Sequence, residues 1–297
     1  MNYVITGAGG HIAKPLAMQL LGAGHHVTAI GRHEEHLKEM VKAGAHPAIG
    51  SVENVEFLEK AFRGADAVFT ICPPNFNTKD LKGFNEQLGK NYRDAIKSTG
   101  IKNVVNLSSV GAHLATSAGP VTGLRRAEEA LNTLENVNIR HLRPCFFYSN
   151  LMANIDMIKN IGIIGSNFSI PPNKFPVADS IDIAAAAAEE LLDLNFNGHS
   201  IRYVASDETG TDEIATVIDK AIGKPDLVWI KFKDEEVLRG MQQAGMPKEI
   251  AGELVEMFAA LDSERFLEDY WKHRPKLGTV KLENFAKVFA KAYNANK

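Results

Sequence analysis

Cysteine is scarce in this chain: two residues in 297, Cys72 and Cys145. Two thiols cannot supply a disulfide framework or a structural zinc site, so a reducing, cytoplasmic setting is expected, with no metal. An excess of either charge is also missing. The 33 Lys and Arg against 36 Asp and Glu leave a formal net charge of -3, mixed along the chain without a basic block. That argues against nucleic acid and against an anionic membrane as partners. Long hydrophobic runs are absent as well, since no stretch approaches the ~20 apolar residues that a membrane-spanning helix needs. The opening MNYVITGAGG lacks the basic-then-apolar layout of a signal peptide. Nor is there an internal repeat or a low-complexity linker. What is present is 45% hydrophobic and 23% charged, enough for a full-sized core in one large domain or in one domain plus a smaller lobe.

The first half alternates short apolar runs with amphipathic stretches, the pattern of a parallel sheet wrapped by helices. Strands are expected at YVIT, HVTAI, HPAI, AVFTI, NVVNLS and IRHLRP, and helices over 12–21, 34–41, 55–62, 81–98 and 124–134. Right-handed crossovers then give an α/β fold, a doubly wound Rossmann sheet with strand order 3-2-1-4-5-6. Residues 1–150 are expected to form this dinucleotide-binding domain. Beyond Arg143-Pro144 the rhythm changes. FFYSNLMANIDMIKN reads as a helix and IGIIGSNFSIPPNKFP as a loop, and from LVWIKF onward apolar residues recur at helical spacing. Residues 151–297 are therefore expected to form a smaller, mainly helical lobe for a substrate or partner. The alanine-rich helix and the IRYVAS strand, 180–206, are expected to return to the first domain.

The segment GAGGHIA carries the first chemistry. Gly7, Gly10 and Ala13 fit a Gly-x-x-Gly-x-x-Gly/Ala register, with Thr6 in front. The first glycine permits the tight turn, the second lets a pyrophosphate approach the backbone, and a small third residue lets helix and strand pack closely. The helix start then offers unpaired N–H groups to phosphates. Thr6, Gly7, Gly9, Gly10, His11 and Ile12 are the expected cofactor contacts of this loop. At the tip of the second strand, where an NAD site places a carboxylate on the ribose 2′-hydroxyl, the chain has Arg32 followed by His33. A guanidinium suits a 2′-phosphate, so NADP(H) is expected over NAD(H).

VITGAGGHIA, GRHEEHL, NVVNLSSVGAH, RAEEAL, IRHLRPCFFYSNLM and FPVADSIDIAAAAAEELLD occur here in the order seen in the NmrA-like family of atypical short-chain dehydrogenases, which the first 200 or so residues resemble. The resemblance implies a Rossmann domain preferring NADP(H) and a small helical lobe. It also implies one of two functions: an NAD(P)H-dependent reductase of quinones and similar acceptors, or a redox-sensing regulator without robust catalysis. Reductases of the wider superfamily use a Ser and a Tyr-x-x-x-Lys pair, the tyrosine giving the proton and the lysine lowering its pKa. Ser108 and Ser109 stand at the matching strand end. Aligning Glu128 and Leu131 with the family's Glu-x-x-Leu puts Pro120 at the tyrosine position and Leu124 at the lysine position. Tyr293 to Lys297 alone spells Tyr-x-x-x-Lys, at the very C-terminus.

A quinone-like acceptor needs little acid help, so hydride transfer without that pair remains the leading expectation. The alternative is a non-catalytic NADP(H)-binding sensor acting through a protein partner. Candidate catalytic side chains are Ser108, His113 and Tyr148. Cys72, Pro73, Ser108, Ser109, Cys145 and Phe146 follow strand ends, where ligands of open α/β sheets bind, and are expected near the cofactor. Phe146, Phe147 and Tyr148 either line an acceptor pocket or staple the two lobes together. Cys72 and Cys145 flank the fifth strand, some ~10 Å apart across two strand spacings, too far for a disulfide without rearrangement. The acceptor is expected in the crevice between the lobes, and the C-terminal helices offer faces for a homodimer or a protein partner.

Overall fold

The computed structural model describes residues 1–295. Seven parallel strands form the central sheet: β1 (Asn2–Ile5), β2 (His26–Gly31), β3 (His46–Ile49), β4 (Ala67–Ile71), β5 (Asn103–Leu107), β6 (Asn138–Pro144) and β10 (His199–Val204). Their order is β3-β2-β1-β4-β5-β6-β10, the expected doubly wound arrangement extended by one strand. The pleat explains why both faces are covered. Tyr3 and Ile5 of β1 enter one core while Val4 enters the other, and β4 divides Phe69 from Val68 in the same way. Strands buried on both sides read as continuous apolar runs, which is how these segments stood out in the sequence.

On the first face lie α1 (Ala13–Gly22) and α7 (Ser180–Asp193). The Tyr3 hydroxyl donates to the Leu191 carbonyl at 2.8 Å, tying α7 to the sheet. On the second face lie α3 (Val55–Phe62), α4 (Leu81–Thr99) and α5 (Val121–Leu131), which contribute Leu58, Tyr92 and Leu131 to its core. Strand β10 pairs with β6 from His199 opposite Ile139 to Val204 opposite Pro144. Three buried polar side chains form a row across β4, β5 and β6 on the second face. Thr70 donates to Asn106 at 2.9 Å, Asn106 to His141 Nδ1 at 3.0 Å, and His141 Nε2 to Asn132 at 3.0 Å. Burial lowers the His141 pKa to about 4, so the ring is neutral and serves as a ladder rung.

Several local expectations are corrected. The helix expected over 34–41 is a tight turn at Glu34–His36 followed by a short α2 (Lys38–Lys42). The chain breaks at Leu37 because that side chain turns fully into the core. Helix α5 begins at Val121 rather than Leu124. FFYSNLMANIDMIKN contains a two-residue strand β7 (Phe146–Phe147), a 3₁₀ stretch (Tyr148–Asn154) and α6 (Ile155–Ile161). The expected loop after it contains β8 (Ile164–Ser166) and β9 (Phe175–Ala178). These strands have remote partners: β9 joins β7 and β11 (Asp207–Thr209), and β8 pairs with β12 (Trp229–Lys231).

The remaining helices are α8 (Thr211–Ile222), α9 (Asp234–Gln243), α10 (Lys248–Leu261), α11 (Glu264–Lys272) and α12 (Leu282–Ala295). The segment joining α11 to α12 is clipped back to α7. The Asp182 carboxylate accepts from Thr279 N, Thr279 Oγ1 and Val280 N at 3.0, 2.9 and 3.0 Å. Tyr293 of the C-terminal Tyr-x-x-x-Lys packs under the Lys159 ammonium, while Lys297 lies outside the described residues.

Candidate active site

The loop between β1 and α1 makes its turn at Gly7, with φ of +63° and room for no more than a hydrogen: a Cβ there would lie 2.8 Å from Ile71 Cγ2. The Gly10 amide donates to the Gly7 carbonyl at 2.9 Å, closing the turn. Gly9, Gly10 and His11 are exposed on its outer side, whereas Ile12 is buried in the core. Thr6 lies beneath the turn rather than on its open side. Its fully buried hydroxyl accepts from Ile71 N at 3.1 Å and from the Tyr92 hydroxyl at 3.5 Å. Thr6 therefore fixes the loop to β4.

Across the mouth of this turn, at the end of β2, Arg32 is exposed and makes no hydrogen bond or ion pair among the described residues. Ring edges of His33 and His36 meet beside it at 5.5 Å. His36 Cβ would be 2.8 Å from a Cβ on Gly9, so this histidine forms a wall of the same hollow. An uncommitted guanidinium at this spot fits an extra phosphate on the ribose, and the open glycine turn fits a pyrophosphate.

Past the carboxyl ends of β4, β5 and β6 lies a cavity of about 350 Å3. Cys72, Ser108, Ser109, Cys145 and Phe146 all line it, so five of the residues expected near the cofactor converge on one space. Pro74 lines it in place of Pro73. Its far wall comes from the helical lobe: Leu254, Met257 and Leu261 of α10 and Phe266 of α11. Gly111, with φ of +85°, lets the loop after β5 pass against the Phe266 ring, where a Cβ would lie 2.5 Å away. Pro120 and Leu124, at the positions aligned with tyrosine and lysine, also face this cavity.

The polar atoms here are few. Ser108 is 5% exposed, and its Oγ has no hydrogen-bond partner among the described residues. A buried hydroxyl left unpaired is costly, so Ser108 is free to hydrogen-bond an atom placed in the cavity. Burial pushes the Cys72 thiol up to about 12 and the Cys145 thiol well above its ordinary value, which makes both poor thiolates.

Two expected catalytic candidates are elsewhere. His113 does not line the cavity; its Nε2 donates to the Arg265 carbonyl at 2.8 Å, spending that proton on a contact with α11. Tyr148 is 1% exposed and stacks on Phe285 at 5.0 Å, away from the cavity. Burial, with Asp207 and Asp179 nearby, raises its pKa and keeps the phenol neutral. Phe146 lines the cavity and also packs on Phe175 at 5.0 Å and Phe168 at 5.9 Å.

A buried ion cluster that sequence reasoning missed braces these walls. Arg143 Nε and Nη2 donate to the two Glu128 oxygens at 3.0 and 2.6 Å, and Nη1 reaches Asp269 at 3.3 Å. The Tyr203 hydroxyl also donates to Asp269. Arg143 sits on β6, Glu128 on α5 and Asp269 on α11, so one guanidinium joins the sheet to two of the helices that wall the cavity. Burial opposes its charge, yet the hydrogen bonds and field of Glu128 outweigh that and hold its pKa above the ordinary arginine value.

A doubly wound parallel sheet with a glycine turn after its first strand, and a cavity at the carboxyl ends of its middle strands, defines a Rossmann-type α/β protein. The model of the NmrA-like family matches residues 2–289, and the chain belongs to that family. Solved structures share the fold over nearly the whole chain. An NADPH-dependent quinone oxidoreductase from Escherichia coli, complexed with NADPH, aligns with a TM-score of 0.77 at 16% identity, covering 96% of this chain and 99% of that one. The Citrobacter sp. triphenylmethane reductase complexed with NADP(H) gives 0.75 at 22%, covering 97% and 99%. NmrA, a negative transcriptional regulator in complex with NAD, gives 0.77 at 16%, covering 99% and 97%. Sequence matches to curated proteins are partial. Sterol-4-alpha-carboxylate 3-dehydrogenase, decarboxylating, of Dictyostelium discoideum is 28% identical over 138 residues, 46% of this chain and 38% of that protein. Among the described residues no helix is long and apolar enough to cross a membrane, and no group of three or more His, Cys, Asp or Glu can hold a metal ion.

Proposed function

We propose that this chain is an NADPH-dependent oxidoreductase that reduces a quinone-like or other small electrophilic acceptor. The observation that carries the reading is the apolar cavity at the ends of β4, β5 and β6, with the unpaired Ser108 hydroxyl inside it. Residues 1–150 with 180–206 hold the cofactor, and the rest of 151–297 closes over the acceptor. The turn at Gly7–Ile12 takes the pyrophosphate, and Arg32 takes the 2′-phosphate by charge-assisted hydrogen bonds. When bound, the reduced nicotinamide would supply a hydride, that is, one proton with two electrons, which together with a second proton from solvent converts a quinone to its hydroquinone.

The protein's own part is placement and charge stabilisation. The apolar walls from α5, α10 and α11 exclude water around the acceptor, and Ser108 donates to the oxygen on which negative charge develops. Pro120 and Leu124 offer no proton at the positions aligned with the tyrosine and lysine, which limits the reaction to acceptors that need no strong enzymic acid. The same pair favours the second reading, an NADP(H)-binding sensor acting through a protein partner. Purified protein with NADPH and a panel of quinones, azo dyes and aldehydes separates the two. The reductase reading expects cofactor oxidation above the protein-free rate with at least one quinone. Background rates throughout, with NADPH binding retained, leave the sensor.

A further inference from the structure

The cavity is uncharged on all sides. None of the side chains lining it is Asp, Glu, Lys, Arg or His. Its two titratable groups are thiols held neutral by burial. The neighbouring cations are paired, Lys82 with Glu256 at 2.8 Å and Arg143 with Glu128 and Asp269, and Glu253 beside Leu254 does not line the cavity; burial raises its pKa and so favours its neutral form. A charged acceptor would lose its hydration here and find no counter-ion.

One lining residue stands apart from the others. Phe76 is 47% exposed, although it borders the same cavity, and it makes no ring contact among the described residues. The loop that carries it is stiff. Pro73 and Pro74 precede it, the Asn75 side chain accepts from Asn77 N at 3.2 Å, and Asp80 N donates to Thr78 Oγ1 at 3.2 Å. Asp80 then caps α4 through Gly83 N at 2.8 Å. Both ends of the loop are fixed, so it presents a large apolar ring at the mouth without burying it. Leu254 and Met257 of α10 also line the space.

The geometry points to an acceptor that is an uncharged, flat, apolar carbonyl compound, seated against the Phe76 ring and the Leu254–Met257 face of α10, with ionised acceptors of the same shape excluded. This rests on the reductase reading of the same cavity. A planar acceptor gives Phe76 the stacking partner it lacks, and the adaptable Met257 side chain suits a flat surface of variable outline.

The test compares 1,4-naphthoquinone with its 2-sulfonate. Sulfonation withdraws electrons and makes the quinone intrinsically easier to reduce, so slower turnover of the sulfonate reports the cavity rather than the chemistry. NADPH oxidation is followed for both, and binding of both to protein loaded with an unreactive tetrahydro analogue of NADPH, whose ring is uncharged, is measured by titration calorimetry. The expected kcat/KM favours the neutral quinone by about tenfold or more, with a matching binding preference. Phe76→Ala is expected to raise KM for the neutral quinone about five- to tenfold. NADPH affinity should be unchanged, and Phe76→Tyr should restore KM. Turnover with no preference between the two quinones, or with no effect of Phe76→Ala, overturns this inference and leaves the reductase reading standing. Preferential binding of the neutral quinone without NADPH oxidation upholds the cavity's selectivity, and the reductase reading then falls only if the whole acceptor panel also stays at background. Failure of both quinones to bind overturns this inference.

Discussion

Replacing Arg143 with methionine tests how the two lobes are held around the cavity. Arg143 is 8% exposed and Glu128 is 4% exposed, and they meet through two hydrogen bonds at 3.0 and 2.6 Å. With charge centres about 4 Å apart and an effective dielectric of about 20, their attraction is about 4 kcal/mol. Arg143→Met forfeits that attraction and leaves the Glu128 carboxylate buried without a counter-ion, a loss of about 3–5 kcal/mol for breaking one partner of a buried pair. The Asp269 contact adds little, because that side chain is 21% exposed and lies 3.3 Å away. Asp269→Asn should therefore cost only about 1 kcal/mol. The double variant Arg143→Met/Glu128→Leu removes both buried charges and should recover most of the loss. Urea unfolding followed by far-UV circular dichroism gives the three values. The reasoning fails if Arg143→Met costs under about 1 kcal/mol, or if the double variant is no more stable than the single one.

Other outcomes follow from single sites. Arg32→Asp removes an uncommitted cation at the end of β2 and should raise the NADPH dissociation constant about 10- to 100-fold while leaving NADH nearly unchanged; equal weakening of both would place Arg32 away from the 2′-phosphate. His141 has a native pKa of about 4, against about 6.5 when unfolded. Below the unfolded value the unfolded chain takes up a proton that the native ring refuses, so stability is lost as pH falls from 6.5 toward 4. The wild type should lose about 2–3 kcal/mol more than His141→Gln between pH 7 and 4.5; parallel pH slopes would contradict this. With its thiol raised to about 12, Cys72 should hold about a thousandfold less thiolate at pH 8 than free cysteine. An aromatic disulfide reagent should then label Cys72 and Cys145 only on unfolding, and rapid labelling of the native protein would contradict this.

Much of this site was legible because its signals are local. The turn at Gly7 and Gly10, the cation at Arg32 and the serines after β5 each sit within a few residues of a strand end, and strand ends are where such sheets bind ligands. The missed features depend on partners far away in sequence. Strands β8 and β9 are short and pair with segments that follow much later, so their sequence carries no alternation to read. Arg143 and Glu128 read as ordinary surface charges until the sheet and α5 bury them together. Leu254, Met257 and Phe266 look like core positions of any amphipathic helix, and only the docking of α10 and α11 turns them toward the cavity. His113 and Tyr148 lie away from the cavity for the converse reason. Each sits near a strand end, yet the loop after β5 carries His113 to α11 and the 3₁₀ stretch buries Tyr148 against Phe285.

The central claim is that hydride leaves NADPH inside this cavity. Protein loaded with one equivalent of NADPH, mixed rapidly with excess 1,4-naphthoquinone and followed at 340 nm, measures that step in a single turnover. The expected decay exceeds the protein-free rate, saturates with quinone concentration and slows in Phe76→Ala at low quinone. A decay equal to that of free NADPH at every quinone concentration would contradict it.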